Sequence, residues 1–242
     1  MTDPPSAGLP VQLLLLLDSR SPAGAHNHSG GMESAVTAGW VRDAGDVEKY
    51  CRGRLHTAGR VAAAFAAASS ILWQSADVGS APKQWHQLDV GFNARMPSEA
   101  ARRASRAMGS GLRRLIVATV ADKAAEISHN WSRCAPPAPH QPLVLGVAVA
   151  LTGGSPEIAA RAAATGICAA PASAAVRLLG LDPYKVHAVM SELSGEIETI
   201  ADGATHLARA SRSVADLPAD CAPALDLLAD VHATSEVRLF AS

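Results

Sequence analysis

Val186, Met190, Leu193, Ile197, Ile200, Ala204 and Leu207 recur at alternating steps of four and three residues. That spacing puts one apolar stripe along an α-helix, whereas a strand would need a period of two. Over so short a run, the stripe suits the core helix of a bundle better than a free coiled coil. A second pattern runs over roughly Asp46–Trp73, with Asp43 or Asp46 near its start. Its apolar positions are Leu55, Val61, Phe65, Ile71 and Leu72, and alanine fills much of the rest. Alanine-rich helices can approach closely. With aromatics at only 4% and apolar residues at 48% of 242, the chain favours helices over sheet. The expected fold is all-α, an irregular bundle of about eight to ten helices.

The breaks divide this bundle. Residues 1–10 read as a flexible leader, and 11–242 as a single all-helical domain. Val11–Leu17 predicts a short helix and Met32–Val41 another. Residues 75–97 lose periodicity around Gly79, Pro82, Gly91 and Pro97, which predicts a loop with Trp85 and Phe92 packed down on the body. Pro97-Ser98-Glu99 restarts a helix, capped by Ser98 and running to about His129. Residues 134–142 form a Pro-rich linker, followed by a buried helix over Leu143–Leu151. Ser155-Pro156-Glu157 begins the next, which Pro171 is expected to kink or split and Gly180 to end. Asp182-Pro183 opens the striped helix, and Leu217 to His232 gives the last one.

Net charge is −1, so no bulk field draws the chain to nucleic acid or an anionic membrane. The apolar runs Leu13–Leu17 and Leu143–Leu151 are too short to span a bilayer. The first lacks the basic residues of an export signal. Cys51, Cys134, Cys168 and Cys221 are scattered, with no C-x-x-C pair for zinc or redox chemistry. A cytoplasmic setting is the expectation.

The unusual stretch is Asp18 to Glu33, sixteen residues with three Gly, one Pro, three Ser, two His and two acids. A simple corner needs about four residues. Asp18 and Ser19 end the apolar segment, and Pro22 fixes φ. Gly24, Gly30 and Gly31 permit positive φ or close backbone approach. His28-Ser29 then leads into a helix start, with Glu33 in its first turn near the positive end of the dipole.

Nothing in the sequence reads as a catalytic centre or a cofactor loop. Gly153-Gly154 lacks the Lys-Ser/Thr of a phosphate loop, and Gly109-Ser110-Gly111 lacks the strand and pattern of a nucleophile elbow. Glu196 and Glu198 point to different helix faces. His26, His28 and Glu33 are the one candidate set for nickel or zinc, and an imidazole pair seldom closes a coordination shell alone. Arg102, Arg106 and Arg113 share a helix face, either as a solvated stripe or as a patch for an acidic partner. At the far end, Arg238, Leu239 and Phe240 have the composition of an interface anchor.

The pattern D-S-x-x-P-x-G-x-x-x-H-S-x-G-[apolar]-E is similar to the N-terminal signature of the UreF family, helical factors of urease maturation. Asp18, Ser19, Pro22, Gly24, His28, Ser29, Gly31 and Glu33 stand at its positions. Ala23 replaces a frequent Thr, and Ala35 stands where some members carry an aromatic. The helix around Ser105, Arg106 and Gly109 and the Arg-apolar-aromatic-x-Ser terminus also resemble that family. The resemblance implies a non-catalytic accessory protein that dimerises and helps load nickel into apo-urease. It would bind the UreD-type (UreH) scaffold and recruit the GTPase UreG. It further implies that Asp18, Ser19, Pro22, Gly24, His28, Ser29, Gly31 and Glu33 form a partner-binding surface, with Arg238, Leu239 and Phe240 organising a tail that orders on the scaffold. Two alternatives are a nickel- or zinc-binding protein and a helical adaptor of an unrelated assembly.

Overall fold

The core is organised around one alanine-rich helix. The computed structural model describes residues 11–18, 27–75, 81–119, 138–233 and 239–240. In it, α4 (Arg60–Gln74) buries Val61 to Ala67 without interruption, together with Ser69 and Ser70. A helix buried on nearly every side must be wrapped by others. Around it pack α7 (Gln141–Leu151), α8 (Pro156–Leu179) and α10 (Ser194–Ala210). Small residues set how closely they approach. A Cβ at Gly146 would stand 2.2 Å from the Ala66 carbonyl oxygen, so α7 and α4 touch backbone to backbone. Ser69 Oγ donates to the Leu143 carbonyl across the same crossing.

The remaining helices are α1 (Val11–Leu17), α2 (Met32–Thr37), α3 (Ala44–Arg54), α5 (Ala81–Ala94), α6 (Glu99–Thr119), α9 (Pro183–Glu192) and α11 (Pro223–Ala233). A π-helical turn, Leu55–Gly59, carries α3 straight into α4, so the eleven α-helices among the described residues form ten rods. No strand occurs among the described residues. The all-α bundle expected from periodicity is what the chain forms. Its striped helix is a core helix, interrupted at Leu193 between α9 and α10. Val186, Leu193, Ile197, Ile200 and Ala204 are buried, while Leu207 is half-exposed.

Several local expectations change. The loop predicted over 75–97 holds α5, because Trp85, Leu88 and Phe92 fall on one buried helical face. Pro82 sits in the first turn, where no backbone N–H is needed. The helix expected over Met32–Val41 stops at Thr37, where Ala38 and a left-handed Gly39 (φ +74°) turn the chain. Pro171 does not split α8, which runs unbroken to a left-handed Gly180. The last helix starts at Pro223 rather than Leu217, after a 3-10 turn, Val214–Asp216. Ser98 does cap α6, its oxygen accepting the Ala101 N–H at 3.1 Å. The leader and the part of α6's expected run beyond Thr119 lie outside the described residues.

The described part of the Pro-rich linker, residues 138–142, packs into the bundle. His140 is fully buried there, and Pro142 already belongs to α7. A Cβ at Gly109 of α6 would stand 2.0 Å from the Pro139 carbonyl oxygen, so this segment is pressed into the bundle. By length and composition α8 could cross a membrane. In the fold it packs against α4 and α10, and its Arg161 pairs with Glu198 and Asp202.

Candidate functional site

Two segments far apart in sequence meet at α2. Gly30 and Gly31 take left-handed conformations in succession, φ +60° and +84°. This reverses the chain directly before the helix, a geometry side-chain-bearing residues adopt at a cost. Space enforces the same choice: a Cβ on Gly31 would lie 2.8 Å from the Tyr50 hydroxyl. That hydroxyl donates to the Gly30 carbonyl at 2.9 Å and so pins the turn to α3. Burial pushes the Tyr50 phenol up, which keeps it a donor. Ser29 is fully buried; its carbonyl accepts the Met32 N–H at 3.2 Å and its hydroxyl the Glu33 N–H at 3.4 Å. The turn thus aims Glu33 outward from the first turn of α2.

What Glu33 reaches is the other end of the chain. Its two carboxylate oxygens accept the backbone N–H groups of Leu239 and Phe240, at 2.7 and 3.0 Å. A carboxylate bonded to backbone donors makes a strong, charge-assisted contact. Phe240 is buried, with the Arg177 guanidinium of α8 4.8 Å from its ring centroid, within cation–π range. Leu239 points out and is 66% exposed. The tail's two apolar residues are therefore divided: Phe240 anchors the tail to the body and Leu239 faces outward.

Of the signature residues, the structure brings Ser29, Gly31 and Glu33 into one latch with the tail. His28 precedes the turn, half-buried, and Asp18 follows α1. Ser19, Pro22, Gly24 and His26 lie outside the described residues, as does Arg238. Tyr50 and Arg177 complete the latch and were not read from the sequence; with only two tyrosines in the chain, a tyrosine on the buried face of a helix was the available signal for the first. Of the His26–His28–Glu33 set proposed for a metal, His26 lies outside the described residues, and each Glu33 oxygen accepts one tail amide. Among the described residues no three His, Cys, Asp or Glu side chains cluster as metal ligands would.

The basic stripe resolves differently from either reading of it. Arg106 turns inward. It pairs with Asp89 of α5 at 2.9 Å and donates to Asn93 Oδ1 and to the Ala138 carbonyl. Arg102 donates to the Met96 and Pro97 carbonyls, tying down the start of α6. Beside them the His140 ring lies between Ser105 Oγ (3.1 Å from Nδ1) and Asn93 Oδ1 (3.2 Å from Nε2), and its backbone N–H donates to Asp89. Burial first, then the Arg106 charge, push His140 down to about 4. This neutral imidazole is a tie among α5, α6 and the start of α7.

The UreF family model matches residues 41–194, well over half of the chain. Both ends of the latch fall outside that stretch. Among curated relatives, the urease accessory protein UreF of Mycolicibacterium vanbaalenii is 39% identical over 95% of this chain and 97% of its own. Its counterpart from Mycobacterium marinum is 39% identical over 96% and 98%. That from Mycobacterium sp. strain JLS is 37% identical over 95% and 97%.

Proposed function

Since this chain belongs to the UreF family of urease accessory proteins, we propose that it acts as a non-catalytic adaptor in nickel insertion into apo-urease. It bridges a UreD/UreH-type scaffold and the UreG GTPase, works in the cytoplasm and pairs with a second copy of itself. The observation that carries this reading is the Glu33 latch. From the two segments singled out as partner-binding, Glu33 of the signature meets Leu239 and Phe240 of the tail. A rigid backbone clamp that presents an exposed Leu239 beside a charged helix start suits protein docking.

Size-exclusion chromatography with light scattering tests it, run on the chain alone and then with scaffold and UreG. A dimer that shifts into one larger complex supports the adaptor. An unchanged peak overturns it in favour of an adaptor for another assembly. Deleting Arg238–Ser242 removes scaffold binding while helicity by circular dichroism is kept. Loss of helicity would make the tail part of the core instead.

A further inference from the structure

Between α4, α6 and α11 the bundle leaves a cavity of about 440 Å³, in the size range of small-molecule sites. Met96, Met108, Ile167 and Leu225 make much of its apolar wall, with alanines of α6 between them. Methionine walls adapt to irregular hydrocarbon shapes. Five charged side chains stand on the lining, and they do not balance: Arg54 at the end of α3, Arg95 just past α5, Arg103 of α6, Asp220 before α11 and Asp226 within α11. Asp220 is spent on Arg60, at 3.2 Å. Arg95 gives its donors to the carbonyls of Gly91, Val214, Leu217 and Pro218, so its hydrogen bonds are met but no carboxylate neutralises it among the described residues. Arg54 is less satisfied still: its Nε is buried and makes no hydrogen bond, and no carboxylate pairs with it among the described residues. Asp226 is the remaining acid on the wall and lies within electrostatic reach of Arg54; burial pushes its carboxyl up and the Arg54 charge pulls it back. On α6, Arg103 already pairs with Glu99.

A buried guanidinium nitrogen with no acceptor is costly, and Arg54 lines a cavity large enough to admit an anion that would supply one. We infer that this cavity binds a small apolar carboxylic acid, its carboxylate on Arg54 and its hydrocarbon chain against Met96, Met108 and Leu225. The cavity borders the Gly30–Gly31 turn, and the inference rests on no urease partner. An acid of medium chain length combines the two chemistries that the walls present.

Calorimetric titration of the full chain with decanoate, and with decanol as a neutral probe of the same length, tests it. Decanoate binds one per chain, and decanol about tenfold more weakly, the factor one charge-assisted contact commands. Arg54→Gln brings decanoate down to the level of decanol, and Arg54→Lys restores part of the difference. Ala104→Phe, which fills the cavity from α6, abolishes both. Should that variant melt early, the methyl resonances of Met96 and Met108 in the unaltered chain report occupancy, and they shift on adding decanoate. Equal binding of decanoate and decanol, no effect of Arg54→Gln, or methyl resonances that stay in place would each overturn the inference.

Discussion

Glu33 and Phe240 are 207 positions apart in the chain, yet the carboxylate of one accepts the backbone N–H of the other at 3.0 Å. The same carboxylate takes the Leu239 N–H at 2.7 Å, so a single side chain fixes two consecutive residues of the tail. The contact depends on backbone, leaving the tail's side chains to be chosen for other purposes. Phe240 uses its ring to fill a site beside Arg177, and Leu239 remains outside.

Glu33→Ala should release the tail without unfolding the bundle. Two charge-assisted hydrogen bonds are worth roughly 2–4 kcal/mol together, and local opening draws on the same free energy. Amide hydrogen exchange at Leu239 and Phe240 should accelerate by about 30-fold or more, while amides in the middle of α4 keep their protection. Unchanged exchange at the two tail amides would show that Phe240 alone holds the tail.

Gly31→Ala should destabilise the protein by about 2 kcal/mol, through an unfavourable positive φ and a Cβ brought to 2.8 Å from the Tyr50 hydroxyl. The two causes separate in combination with Tyr50→Phe. Removing the hydroxyl relieves the clash and leaves the backbone strain, so the double variant should melt above the sum of the two single effects. Simple additivity in thermal denaturation would contradict the packing argument.

Arg106→Ala should lower stability by about 3–5 kcal/mol, because it strands Asp89, which is only 4% exposed. Arg113→Ala, on the same nominal face, should change stability by less than about 0.5 kcal/mol. Denaturant melts of the pair distinguish a structural arginine from a surface one. Equal effects would restore the reading of a uniform stripe.

The fate of that stripe shows what the sequence carried and what it did not. Helical class, the helix starts at Asp43, Ser98 and Asp182, and the left-handed stop at Gly180 were legible, because each rests on local periodicity or capping. Which partner a charge meets depends on the neighbouring helix, and Asp89 lies in the segment where Pro82 and Gly91 hid the buried face of α5. The apparently scattered Cys51 and Cys168 meet in the core, each thiol donating to the other's carbonyl at 3.6 Å across α3 and α8. No spacing rule brings together residues that distant. At the candidate site both anchors were visible as unusual local sequence, but their union through Glu33 was not, since it is a contact between chain ends.

His140 gives the fold a pH dependence. Its folded value, about 4, lies below the ordinary 6.5, so the unfolded chain binds the proton first as pH falls. Stability from this group is therefore complete above about pH 6.5 and is lost as the pH drops toward 4, by an amount on the order of 3 kcal/mol. Chemical denaturation between pH 7 and 5 should show the decline, and His140→Asn should flatten it over that interval. An unaltered slope in the variant would place the proton elsewhere.

The most direct test of the latch as a binding surface is a double-mutant cycle on scaffold affinity. Dissociation constants for a UreD/UreH-type scaffold would be measured with the unaltered chain, Glu33→Ala, Phe240→Ala and the double variant. If signature and tail are one device, either change alone removes most of the binding, and the second adds little, leaving a coupling of at least about 1 kcal/mol. Two effects that simply add, or a scaffold indifferent to both, would contradict the account.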